Sequence, residues 1–178
     1  LNNSKMQKLT DQDLWRNYVN GQRDFVKIEI VRANLFEVDL RNIQLLASRL
    51  IKVYMPYANL SYANLSNTEI IESEFGDVKL KEGNLSDACL SHSNFYRANL
   101  RYSNLQRAQL SDVNLQAADL YNADLQDAYL VNVDLQGANL EGAQIEKAIF
   151  IGCNLFRAKG VNLSPEQCDR TIGPNGFM

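Results

Sequence analysis

Large apolar residues recur at every fifth position along most of this chain. From Ile30, Leu35 and Leu40 to Ile145, Phe150 and Leu155 the count never slips, giving 26 consecutive five-residue units. A helix buries about every 3.6th residue and a strand every second one, so neither can run through this pattern. Two positions before each centre stands a small or modest residue, such as Ala58, Ser73, Gly83, Ala98, Val113 or Cys153. Asn or Asp commonly lies between, as at Asn59, Asn84, Asn99, Asp119 and Asp134, and the two residues after the centre are mostly polar. A small and a large inward residue two apart describe one face of a very short strand. Five residues cannot continue such a strand in phase, so the chain must turn at each unit. With turns of about 90°, four units close a square, and the next square stacks on it at about 4.8 Å. Asn and Asp are expected at the bends, because they bond nearby backbone groups and tolerate unusual φ.

The unit A(D/N)LXX, seen in "YANLSYANL", "RANL", "AADLYNADL" and "GANLEGA", resembles the pentapeptide-repeat family over about residues 28–158. The resemblance implies an all-β solenoid, a right-handed quadrilateral β-helix with four sides and twenty residues per coil. On that reading 26 units make six and a half coils and a rod about 30 Å long. Variant units such as Val38 to Leu40, and those around Leu50 and Met55, leave the count intact, and Pro56 follows a centre where a bend accepts it. The chain then divides into a leader and capping helix (1–27), the solenoid (28–158) and a C-terminal cap and tail (159–178). Short α-helical caps are expected at both ends, since a solenoid's ends are open. In "LTDQDLWRNYVNGQRDF", Thr10 is the expected N-cap with Asp13 as its reciprocal partner, Leu14/Tyr18 and Trp15/Val19 pair along the helix, and Gly21 stops it. "GQRDF" resembles leaders of cyanobacterial members. Ser164, Pro165 and Gln167 carry a helix-start signal after the count breaks at Ala158, and Gly173 to Met178 are expected to fray.

Composition adds limits rather than an identity. The chain has 178 residues, 46% of them hydrophobic, and a net charge of −3, which fits one domain and argues against free nucleic acid or an anionic membrane as partner. No stretch approaches the roughly 18 apolar residues of a membrane span. The first ten residues lack an apolar signal core, so cytoplasm is the expected compartment. A processed start at Leu1 leaves the periplasm or a thylakoid lumen open. Cys89, Cys153 and Cys168 form no CxxC and leave an odd count, so free thiols are expected.

The sequence offers no catalytic, cofactor or metal residues, and it reads as no enzyme. His92, the sole histidine, lies outward with no Cys or His neighbour; Cys153 falls at an inward position and Cys89 at an outward one. The column Asp87, Arg107, Asp127, Lys147 alternates in sign at a spacing of twenty and is expected to help coil register. Tyr129, Val131, Ile149 and Ile151 fall together on the outside of the last coils with Phe156 near the corner, either covered by the C-terminal cap or forming a dimer or partner contact. An acidic band, Asp112, Asp119, Asp124, Asp127, Asp134, Glu141 and Glu146, holds no base, and Arg97, Arg101 and Arg107 precede it. One role known in the resembled family is DNA mimicry towards a type II topoisomerase. A 30 Å imitation of DNA needs about 18 charges, whereas residues 28–158 carry 16 acids and 11 bases, a net of −5. The expected function is therefore a non-catalytic interaction or scaffold solenoid whose partner is another protein or, through the C-terminal coils, a second copy. The DNA-mimicking topoisomerase modulator is the alternative.

Overall fold

A computed structural model describes residues 6–176. After β1 (Gln7–Leu9) and α1 (Asp11–Val19) come seven short strands, β2 (Ile28–Val31), β3 (Arg49–Ile51), β4 (Glu69–Ile71), β5 (Cys89–Ser91), β6 (Gln109–Ser111), β7 (Tyr129–Val131) and β8 (Ile149–Ile151). A 3-10 turn (Pro165–Gln167) and β9 (Cys168–Asp169) follow. The strands stack in chain order as one parallel nine-stranded sheet. Between β2 and β8 every register step is twenty residues, Ile30 on Leu50 through Leu130 on Phe150. Three further parallel columns, through Asn34–Tyr54, Asp39–Asn59 and Gln44–Asn64, repeat the same offset. The molecule is thus a four-sided parallel solenoid. Sides 1 to 4 are named here by their first centres, Ile30, Leu35, Leu40 and Leu45.

Each unit forms because a tight turn follows its centre. On leaving sides 2, 3 and 4, the residue three after the centre donates its N–H back to the centre's carbonyl, as Val78 does to Phe75 at 3.2 Å and Gly83 to Leu80 at 2.9 Å. The residue two after the centre lies in the left-handed region at nearly every unit, from Lys27 (φ 57°) and Tyr57 (φ 60°) to Arg157 (φ 60°). The unusual φ therefore falls at a variable polar position and not at the recurrent Asn or Asp of each unit. The Asn and Asp side-chain oxygens instead accept the N–H two residues on, as Asn59 does from Ser61 and Asp134 from Gln136. Pro56 sits at the first turn position, where its fixed φ fits.

Centres and small residues fill the interior. Leu40, Leu60, Leu80, Leu120 and Leu140 are fully buried along side 3, with Ala58, Ala98 and Ala138 beside them. Phe75 and Phe95 stack inside side 2 with ring centroids 4.8 Å apart.

The corner after side 1 is different. No carbonyl closes it, and a hydroxyl of the next coil can take the backbone N–H instead: Ser73 Oγ accepts from Val53 at 3.0 Å, Ser93 Oγ from Ser73 at 3.0 Å, and Thr171 Oγ1 from Cys153 at 3.2 Å. Val53, Val113 and Val133 interrupt this column, so among the described residues the N–H groups of Ala33, Ser93 and Val113 meet no acceptor. Val133→Thr places a hydroxyl under the Val113 N–H, as Thr171 does under Cys153. It is expected to stabilise the fold by about 1 kcal/mol, read as a melting point raised by about 2–4 °C.

Both ends extend the ladder beyond the five-residue count. Strand β1 pairs with β2 at an offset of 21, with Lys8 on Glu29. Helix α1 then replaces sides 2 and 3 of that coil. Thr10 and Asp13 form the expected reciprocal cap, and Gly21 (φ 98°) follows the C-terminus with Gln22 N–H bonded to Asn17 O. Leu14 is fully buried, Tyr18 donates its hydroxyl to Arg41 O, and Asp11 accepts the Asn34 N–H of the first coil's open edge.

The C-terminal element is a single 3-10 turn rather than an α-helix. After it the chain rejoins the ladder at an offset of 18, Phe150 on Cys168 and Asn154 on Ile172. Gln167 donates to Ile145 O at 2.7 Å and accepts from Ser164 N–H, so it covers the last coil's edge. Pro174 O accepts the Arg157 N–H, which ties down a tail expected to fray; Phe177 and Met178 lie outside the described residues. Eight stacking steps make the rod about 38 Å long. Among the described residues no helix is long and apolar enough to cross a membrane.

Candidate functional site

Twenty-residue register converts spacing in the sequence into columns on the surface. On side 1 each strand presents one residue before its centre and one after it. The first column begins Lys8, Glu29, Arg49, Glu69 and is one continuous ion ladder, with Lys8–Glu29 at 3.3 Å, Arg49–Glu29 at 3.0 Å and Arg49–Glu69 at 2.8 Å. The second column begins Val31, Ile51, Ile71, all at least partly exposed. Further along, Cys89, Ser91, Gln109 and Ser111 form a shallow polar middle. The last strands bring Tyr129 onto Ile149 and Val131 onto Ile151.

The four apolar residues expected on the last coils are therefore together. The C-terminal cap does not cover them: it prolongs the sheet past β8, and Tyr129 remains 45% exposed. Phe156 lies apart, after the centre of side 2, beside Gly176 and under the Arg157 guanidinium. Sequence grouping missed Val31, Ile51 and Ile71, which share the side but stand twenty residues apart. Reading the chain at that spacing would have found them.

The acidic band is a belt, not a face. Five residues are a quarter turn, so Asp119 and Glu141 lie on side 3, Asp124 and Glu146 on side 4 and Asp134 on side 2, while Asp112 and Asp127 stand at corners. Most already have partners. Arg101 reaches Asp119, Gln106 reaches Asp124 and Gln116 reaches Asp134, in each case eighteen residues along. Asp112 takes Ser111 and Asn132.

Left-handed corner residues also pair between coils. Arg107 holds Asp87 through two bonds of 2.8 Å, Arg97 lies 3.1 Å from Asp77 and Lys52 lies 3.0 Å from Glu72. His92 Nδ1 stands 3.8 Å from Asp112. In the alternating column only its first pair, Asp87–Arg107, is an ion pair among the described residues.

These contacts set an acid limit. The Arg107 hydrogen bond holds Asp87 below its ordinary 3.8, the Arg41 hydrogen bond does so for Asp39, and Ser111 and Asn132 for Asp112. A carboxylate lowered in the folded state adds stability above its unfolded value and loses it as pH falls through the folded one. Melting temperature is expected to hold above about pH 5 and to fall progressively below about pH 4. Asp87→Asn should narrow the gap between melting points measured at the two ends of that window.

Burial pushes the Cys153 thiol up to about 11, and burial beside Glu69 raises Cys89. All three cysteines are free. Among the described residues no group of His, Cys, Asp and Glu is placed to hold a metal ion.

A rod of stacked twenty-residue squares, with Leu or Phe centres and Asn- or Asp-headed units, defines a repeat solenoid. The chain belongs to the pentapeptide-repeat family: the model for pentapeptide repeats matches it in eight copies between residues 29 and 157. Solved structures with the same fold include HetL, a pentapeptide repeat protein involved in heterocyst differentiation regulation from the cyanobacterium Nostoc sp. strain PCC 7120. It is 20% identical over 96% of this chain and 99% of that one, with a TM-score of 0.50. A pentapeptide repeat protein of the Arabidopsis thaliana thylakoid lumen is 31% identical over 58% of this chain and 70% of its own, also at 0.50. QnrB1, a plasmid-mediated fluoroquinolone resistance protein, is 16% identical over 83% and 82%, again at 0.50. No curated protein matches the chain.

Proposed function

We propose that this protein is a non-catalytic binding rod that engages another protein through side 1. The observation that carries the reading is the continuity of side 1, one nine-stranded sheet with aliphatic residues and Tyr129 in register at its two ends. Exposed aromatics also stand on side 2 (Phe36, Tyr54, Tyr96) and at corners (Tyr57, Tyr62, Tyr102), but they are interspersed with Asn, Asp and Gln bonded to their own turns, on sides where the coils meet through isolated bridges. Contiguous exposed apolar surface rimmed by polar groups is the usual mark of an interaction face. The interior, filled by buried centres, is occupied by the chain itself.

The last coils, Tyr129, Val131, Ile149 and Ile151, supply the larger apolar part of that face. Affinity capture from a source extract tests the reading with three baits: wild type, Ile151→Lys, and Gln126→Lys on side 4. A partner retained by wild type and Gln126→Lys but lost with Ile151→Lys is the expected result. Retention by all three baits would sink it. The topoisomerase alternative rests on a role known in the pentapeptide-repeat family, and the charges here do not favour it: the acids encircle the rod and are largely paired. A gyrase supercoiling assay with stoichiometric protein separates the two, and inhibition or protection would reverse the ranking.

A further inference from the structure

The nine-stranded sheet of side 1 has β5 as its middle strand, with four strands on either side. A two-fold axis lying along β5 would set β4 against β6, β3 against β7, β2 against β8 and β1 against β9 of a second copy. We infer that side 1 binds a second copy of this chain in that way, rods antiparallel and sheets face to face; this rests on side 1 being the binding face.

The match under this operation is what favours it. Rows are preserved by the axis, so the residue after each centre meets its own kind. Val31 faces Ile151 of the second copy and Ile51 faces Val131, apolar on apolar. In the other row the Arg49 guanidinium faces the Tyr129 ring, a cation–π arrangement, and Glu69 faces the Gln109 amide, a donor for a carboxylate, while Glu29, already held by Lys8 and Arg49, is the one charge set against an aliphatic residue, Ile149, and Ile71 meets Ser111. The centre of the sheet, where the axis passes, carries only the small side chains Cys89 and Ser91.

Charge poses little obstacle, because Lys8, Glu29, Arg49 and Glu69 already neutralise one another within each chain. Parallel rods would instead set three charges of that ladder, Glu29, Arg49 and Glu69, against Val31, Ile51 and Ile71, compared with the single Glu29–Ile149 contact of the antiparallel pair, and removing charges from water against apolar groups is costly. A sheet about 38 Å long and about 12 Å wide offers on the order of 1,000 Å² over both copies, the size at which specific interfaces begin.

The test is a charge swap across the proposed contact, read by sedimentation equilibrium of the intact chain. Wild type should be dimeric at tens of micromolar. Ile51→Lys and Val131→Glu should each weaken the dimer at least 100-fold. The double variant sets the introduced ammonium of one copy against the introduced carboxylate of the other, and it should return to within tenfold of wild type. Gln126→Lys controls for added charge, and circular dichroism confirms that each variant folds. A short bis-maleimide should also join Cys89 to Cys89 in a Cys168→Ser background. A wild type that stays monomeric at millimolar concentration overturns the inference, as does a dimer indifferent to either single charge. Two weakened singles without rescue overturn the antiparallel pairing. A monomer whose captured partner is still lost with Ile151→Lys sinks the dimer alone and leaves the binding face standing.

Discussion

Phe95→Ala is expected to destabilise the protein by about 3–5 kcal/mol, with urea unfolding as the measurement. Phe75 and Phe95 are successive centres of side 2, both fully buried, their rings 4.8 Å apart and 14° from parallel. Removing one ring removes its own burial and strips a face from the other. Most cores recover part of such a loss by closing around the void. This one is poorly placed to close, because each coil is pinned to its neighbours by backbone bonds such as Phe75 N–H to Asn94 O and Phe95 N–H to Asn114 O, both 2.7 Å. The cost should therefore sit high in the range. Phe95→Leu is the control. Leu115, Leu135 and Leu155 occupy the same column fully buried or nearly so, and the milder change should cost less than half as much. Equal losses for the two variants would refute the pinned-core explanation.

Gly160→Ala is expected to cost about 2–4 kcal/mol and to loosen the end of the rod. Lys159 still belongs to the ladder, opposite Asn139, and Gly160 is where the chain leaves it. Its φ is +71°, and a Cβ there would stand 2.8 Å from the carbonyl carbon of Leu140 and closer still to the N and Cα of Glu141. Those are backbone atoms, so no side chain can rotate away. Gly137 separates the two contributions: its φ is +68°, yet an added Cβ meets nothing within 4 Å. Gly137→Ala should cost only about 1–2 kcal/mol. Hydrogen exchange should localise the larger effect to residues 160–172, the 3-10 turn and β9. Matching costs for the two substitutions would mean that φ alone, and not the close approach, explains Gly160.

The five-residue count made the solenoid legible because each unit repeats one local solution, and 26 repetitions leave little freedom. The helix was legible through Thr10, Asp13 and Gly21, whose roles are settled within a few residues. Strands β1 and β9 were not, since each joins the sheet after a detour, at 21 and 18 residues, that breaks the count. The left-handed corners were misplaced because Lys27, Tyr57 and Asp87 have no residue type in common; the turn geometry, not the side chain, imposes their φ. Acids close together in the chain read as a band, and a band goes round the rod because neighbours five apart point a quarter turn away. Side 1 was not legible in that way: Val31, Ile51 and Ile71 are far apart in the chain and adjacent in space. Local chemistry thus survives translation from sequence, whereas surface composition needs the period first.

The unchanging twenty-residue register between β2 and β8 also governs what natural variation can do to this protein. Excising a whole coil shortens it by one rung of about 4.8 Å and leaves every remaining column aligned. Excising a single unit of five shortens it hardly at all, but swings everything downstream through a quarter turn, so that Tyr129 and Ile149 would leave the side that carries Ile51. Length can therefore evolve in quanta, while the composition of side 1 tolerates only multiples of four units.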